Sequence, residues 1–499
     1  MGIIARQSLR GTIATYTGVA IGFVTTFFVL TRFLTAEEIG LARVLIDSAT
    51  LLVGLAQLGS SSAIVRFFPY FKDKDNTRHH GFFFWTLVIP LAGFVCFALV
   101  FWLCRTPVAQ WFGEKSPLFV DYWYFVLPLA FFMLYETVFE SNANVLMRIV
   151  VPRTVREVGV RLGLLVSYLC YAFRVLSMDG FVLALCATYA LASLINIVYV
   201  CRIGSIRFRP DMPFLRANRP LVVSYLRYMS FLVLSALASV FAPMLSSFFV
   251  TAKMGLNYTG IFAIATYIAV MVSIPYRSLT AIASPQLANA LKERNNADAQ
   301  RLMQQVTNSM LLVGSLIFLL IWVNIDLIFH ILPNGETYAV AKQTVFILSV
   351  YQLMLATMQV SVTALTYGRY YGFTLLFSLV LTVSAVLLNN YLIPKYGMDG
   401  SAWSNLLSYA VYSVMIIVVV RGRMHLSPFC PSEMKTLLLL LGVLAVNFVW
   451  VRFLPVNDVW ISSLLRSTVL IGGFCLIAYK VHLSEEINAL LHSFFIRRN

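Results

Sequence analysis

The sequence predicts an all-α integral membrane protein. Fourteen transmembrane helices form two six-helix lobes related by an internal repeat, with two further helices at the C-terminal end. Three observations predict this. Charged residues make up 12% of the 499 and hydrophobic residues 60%, with a mean hydropathy of +0.82, whereas a soluble chain carries about 25% charge. The apolar residues fall in runs long enough to cross a bilayer, where only helices or closed strands satisfy the backbone. One stretch also occurs twice: 178–200, MDGFVLALCATYALASLINIVYV, and 398–420, MDGSAWSNLLSYAVYSVMIIVVV, agree at nine of 23 positions at an offset of 220.

The repeat extends beyond that stretch. Asp179 matches Asp399, Gly180 matches Gly400, and Gly40 and Gly260 fall at the same offset. One residue further on, Phe125/Phe346, Met133/Met354 and Arg148/Arg369 pair. An ordered repeat in a membrane chain marks a transporter with its site between the halves.

In chain order the spans lie near 10–33, 40–60, 82–104, 118–139, 158–177, 180–201, 222–250, 257–280, 308–331, 340–366, 370–393, 399–420, 434–454 and 459–480. This gives an N-lobe at 1–201, a linker at 202–221 rich in proline (Pro210, Pro213, Pro220), and a C-lobe at 222–424. Spans 13 and 14 lie in 425–499 and have no counterpart in the first half. With fourteen crossings, the side holding the N-terminus carries 26 Lys and Arg and the other side eight, with three inside spans. The positive-inside rule places that side, and both termini, in the cytoplasm. The net charge of +16 is thus a topology signal and a contact for anionic lipids, not a nucleic-acid footprint. No cleaved signal peptide is expected. The seven cysteines lack metal-ligand spacing. The segment 281–307, with Leu287, Leu291 and Leu302 among charges, reads as an amphipathic helix lying in the interface.

Charges inside the spans are the candidate working parts. Arg43 and Asp47 stand four apart in span 2, on one helix face: a cavity cation with a carboxylate that poises it, or a buried pair locking helices. Their partners at offset 220 are Ala263 and Tyr267, so the pair is confined to one half. Arg277, between Pro275 and Pro285, is either a phosphate ligand or an arginine snorkelling to the edge. Glu136 and Glu140, four apart in span 4, are either a proton or sodium coupling site or are paired with Arg148 or Arg161. Arg66 is a helix-end anchor or a guard of the cytoplasmic mouth. Arg466, in span 14, is expected to snorkel or to touch lipid. Gly11, Gly18 and Gly22 with the threonines of span 1 point to close helix packing. Pro243 removes a backbone donor and is expected to kink span 7 and serve as a hinge. No catalytic constellation and no phosphate loop are present; no cofactor or metal is implied.

Four stretches carry a resemblance: TRFLTAEEIGLARV (31–44), SSAIVRFFP (61–69), SIPYRSLTAIASPQLANAL (273–291) and NNYLIPKYGMDGSAWSNLLSYAVY (389–412). Together the chain resembles the polysaccharide-transporter, O-antigen flippase branch of the multidrug/oligosaccharidyl-lipid/polysaccharide flippase superfamily. The resemblance implies two six-helix lobes around a central cavity in a bacterial inner membrane. It implies a polyprenyl-diphosphate-linked oligosaccharide as substrate, moved to the periplasmic leaflet. Glycosyltransferases and a polymerase of the same pathway are the implied partners. A drug/cation antiporter, a lipid II flippase and a membrane polymerase are the alternatives. An antiporter would show more carboxylates than arginines in its cavity, and a polymerase a long periplasmic loop.

Overall fold

The computed structural model describes residues 3–71, 79–146, 148, 150–203, 212–453, 458–481 and 483. Side-chain surroundings are given for these except 3–12, 65, 69, 215, 230–243, 277–278, 281–282 and 285. Among the described residues every regular element is a helix and none is a strand. Among the same residues, eleven helical segments are long and apolar enough to cross a membrane. That is the outcome lipid imposes, since a helix pairs its own backbone groups without a neighbour.

The chain divides into two compact units, 1–260 and 261–499. The first contains α1 (Ile3–Val24), α2 (Ala36–Ala56), α3 (Ser60–Phe71), α4 (Phe82–Leu103), α5 (Val126–Val145), α6 (Val160–Ala172), α7 (Met178–Ile203) and α8 (Arg219–Met254). Helix α2 is its core: 78% of its apolar window is buried, against α4, α5 and α8. It starts at a reciprocal cap. The Glu38 amide donates to Thr35 Oγ1 (3.3 Å), and the Thr35 amide donates to Glu38 Oε2 (2.7 Å). It stops where Leu58 and Gly59 take positive φ values of 50° and 70°, and α3 continues in a new direction from Ser60.

The second unit contains α10 (Ile274–Lys292), α11 (Asn296–Val323), α12 (Lys342–Tyr367), α13 (Gly372–Gly422), α14 (Pro431–Phe453) and α15 (Val459–Arg466). The 51-residue α13 is broken at Gly397 (φ 57°, ψ −133°), three residues after Pro394. These breakers separate the expected spans at 370–393 and 399–420. The expected interfacial helix over 281–307 is corrected. Its first part prolongs α10 and its second begins α11, with a turn at 293–295. Leu287, Ala290, Ala299 and Met303 are buried in one core cluster with Leu365 and Ile416. The apolar stripe covers protein, not lipid.

Both copies of the duplicated Met-Asp-Gly do the same mechanical job. Tyr122 Oη donates to Asp179 Oδ1 (2.6 Å) in the first unit, and Thr344 Oγ1 donates to Asp399 Oδ1 (2.5 Å) in the second. Each aspartate ties the start of one spanning helix to the start of another.

The Gly40–Gly260 match is also physical. Helix α9 (Leu256–Val270) begins against α2. A methyl group on Gly40 would run into the Leu256 carbonyl, and one on Gly260 into the Ala36 carbonyl. Ala36 and Leu256 are themselves 220 apart. The contact is therefore isologous: residue i meets j′, and j meets i′.

Candidate functional site: membrane-buried charges

Arg43 lies two turns into α2, about 10 Å from its start at the ~1.5 Å rise of an α-helix. Its Nε donates to Asp47 Oδ2 at 2.9 Å, and the carboxylate is buried while the arginine is partly exposed. The four-residue spacing does place both side chains on one face. The carboxylate fixes the orientation of the guanidinium, whose planar donors suit anionic oxygens.

A larger network sits where α5 meets the chain entering α6. Arg156 Nη1 donates to Glu140 Oε2 at 2.7 Å, Arg156 Nη2 lies 3.4 Å from Glu157 Oε1, and Arg161 Nη2 lies 3.2 Å from Glu157 Oε2. Glu157 and Arg156 stand in a π-helical turn, Val155–Gly159. Such turns widen the helix and recur at functional places. Glycines of span 1 admit this network: a side chain on Gly18 would strike the Glu157 carbonyl, and one on Gly22 would meet the Arg161 guanidinium. The close packing expected of span 1 is thus explained at Gly18 and Gly22.

The two span-4 carboxylates differ. Glu140 is engaged by Arg156, not by the Arg148 or Arg161 expected from the sequence; Arg161 is taken by Glu157. Glu136 is buried and its Oε1 has no partner. Arg66 is exposed on α3, with its guanidinium 4.3 Å from the Tyr228 ring centroid and 5.8 Å from that of Phe67, a cation–π perch. Arg277 lies in the first turn of α10 behind the 3₁₀ turn Met271–Ser273, and its side chain lies outside the described residues. Pro243 lies within α8, and the surroundings of its side chain also lie outside them.

Sequence reasoning missed Glu157 and Arg156 as network members. The signal was present: Glu157 and Arg161 have the same four-residue spacing as the Arg43 pair. It also found the Met-Asp-Gly repeat without seeing that its aspartate is a latch.

Residues 5–290 match the family model described as "Polysaccharide biosynthesis protein". The chain belongs to this polysaccharide biosynthesis family. No curated protein matches the chain in sequence. Among solved structures, the family member is similar to a lipid II flippase, MurJ, in an inward closed conformation, at 11% identity and a TM-score of 0.72, covering 94% of this chain and 98% of that one. It is also similar to a multidrug resistance MATE transporter of the MOP superfamily in an inward-facing conformation, at 16% identity and TM-score 0.63, covering 83% and 94%. A MOP superfamily transporter from Pyrococcus furiosus matches at 14% identity and TM-score 0.57, covering 85% and 95%. At these identities the likeness concerns the fold. The chain is a multi-pass helical membrane protein with the fold of that superfamily.

Proposed function

We propose that this protein is a flippase for a polyprenyl-diphosphate-linked oligosaccharide, moving it from the cytoplasmic to the periplasmic leaflet for surface polysaccharide assembly. The observation that carries the reading is the family match over 5–290. A whole-chain fold likeness to a lipid-carrier flippase supports it. The chemistry agrees. A sugar head group and its diphosphate cannot cross hydrocarbon bare, and arginine is the side chain suited to phosphate oxygens.

In this reading the chain crosses fourteen times. The eleven long apolar segments become fourteen when Gly372–Gly422 is counted as two at Gly397 and the helical stretches 150–172 and Arg219–Met254 are added. Lobes 1–201 and 222–424, joined by the linker 202–221, rock about Pro243. Arg43, poised by Asp47, and Arg277 hold the diphosphate, and Arg66 guards the cytoplasmic mouth. Glu140 is tied up by Arg156, which leaves Glu136 for coupling to a proton or sodium ion.

The test is export in a strain lacking the gene. Wild-type protein restores surface glycan, whereas Arg43→Ala and Arg277→Ala abolish it at unchanged membrane abundance. Full export by both variants overturns the site. A second reading, a lipid II flippase, is favoured by the MurJ likeness; rescue of a strain depleted of its own lipid II flippase would select it.

A further inference from the structure

The seam between α3 and the start of α8 is held by aromatic rings and one cation. Phe67 is buried and meets Tyr225 edge-on, with ring centroids 5.1 Å apart, and Tyr228 at 5.7 Å. Tyr225 and Met229 share one buried cluster with Ala63, Ile64, Phe68 and Phe71. The linker joins it. Phe214, in the short helix Met212–Ala217, packs on Phe71 at 5.5 Å and lies flat on the His80 ring at 4.0 Å and 7°. All of these residues lie in the first unit.

Two features separate this seam from ordinary packing. The first is Arg66, whose exposed guanidinium rests 4.3 Å from the Tyr228 ring centroid. Among the described residues no carboxylate pairs with it. It stands about 7.5 Å before the end of α3 at Phe71, and Lys72, Lys74 and Arg78 follow in the sequence. That places it at the head-group margin on the side the charge distribution assigns to the cytoplasm. The second feature is the Tyr225 hydroxyl. Tyr225 is 7% exposed and its Oη has no partner. A sealed hydroxyl without a hydrogen bond opposes closure, because parting the seam lets water reach it.

The closed seam is therefore held lightly. A cation on an aromatic face at an exposed site is a weaker contact than a guanidinium fork on phosphate oxygens. A phosphate arriving at this margin thus outcompetes the Tyr228 ring for Arg66.

We propose that the α3–α8 seam is a gate latched by Arg66 on Tyr228, released when the phosphate oxygens of a lipid-borne diphosphate draw Arg66 off the ring. The Tyr225 hydroxyl is then uncovered and hydrated, and the linker helix, packed on Phe71, shifts with the opening. This deepens the flippase reading and rests on it for the identity of the anion: the cargo opens its own entry.

Hydrogen exchange over 60–71 and 219–229, read by mass spectrometry on the full-length protein in phosphatidylcholine nanodiscs, reports the opening. Farnesyl diphosphate raises exchange in both segments roughly fivefold in the wild type, the equivalent of one lost cation–π contact. Farnesol lacks the charge and inorganic diphosphate lacks the anchoring tail, and neither raises it. Arg66→Gln and Tyr228→Leu exchange faster without ligand and respond no further. Tyr225→Phe removes the orphaned hydroxyl, keeps the ring and slows basal exchange, an outcome misfolding cannot mimic. No rise in the wild type, an equal rise with farnesol, or a rise that Arg66→Gln retains overturns the latch. An equal rise with inorganic diphosphate overturns the lipid-borne trigger, and unchanged exchange in Tyr225→Phe overturns the role of its hydroxyl. Glycan export in the complemented strain separates the two readings. Export without ligand-driven exchange removes the latch and leaves the flippase, whereas ligand-driven exchange without export removes the flippase and leaves a phosphate-released gate.

Discussion

Asp47 is buried with its carboxylate against Arg43, so the two can be separated by a cycle of substitutions. Arg43→Ala strands the carboxylate and is expected to cost about 1–3 kcal/mol, the penalty for an orphaned buried charged group. Arg43→Ala with Asp47→Asn removes both charges and should recover most of the thermal stability without recovering glycan export. Recovery of both would make the pair structural. At Glu140 the same logic gives a smaller number, because Arg156 is nearly half exposed (46%). Arg156→Ala should lower stability by about 1 kcal/mol, read as a melting shift, with Glu140→Gln lower still in effect. The Arg43 pair was legible because four residues in a regular helix share a face. The Glu140 partner was not, because the π turn at Val155–Gly159 adds a residue and changes which arginine faces α5.

At the level of helices, the structure turns on how they start and stop. Asp179→Asn and Asp399→Asn each exchange a charged acceptor for a neutral one at a latch. Each is expected to cost about 1 kcal/mol, and the losses should add, because the two sites share no partner. Chemical denaturation of the two single variants and the double variant checks this. Gly397→Ala forces a side chain into a conformation glycine alone adopts freely and should cost about 1–3 kcal/mol. The break between spans 370–393 and 399–420 and the repeated Met-Asp-Gly were legible, and the break falls at Pro394 and Gly397; the Thr35–Glu38 cap was not read, and the helix starts at Ala36 rather than near 40. The segment 281–307 was misjudged for a physical reason. An apolar stripe on a polar helix looks the same whether lipid or another helix covers it, and only packing tells α10 and α11 from an interfacial helix.

For the whole molecule, the class of fold follows from solvent. A chain with this little charge and this much apolar run has to satisfy its backbone internally, and the helices follow. Arginine placement then orients it. Reporter fusions at the two ends, an acid-quenched fluorophore and a phosphatase active only outside the cytoplasm, should both report the cytoplasm; one end outside would exclude fourteen crossings. The substrate of the proposed flippase was not legible, because sugar recognition uses ordinary hydroxyl and amide side chains with no fixed spacing.

The reciprocal seam of Gly40 and Gly260 sets what those two positions can tolerate. Enlarging either glycine meets a main-chain carbonyl, that of Leu256 at Gly40 and that of Ala36 at Gly260, and no rotamer change can move a carbonyl aside. Neither position therefore tolerates even a methyl group unless the two helix starts separate.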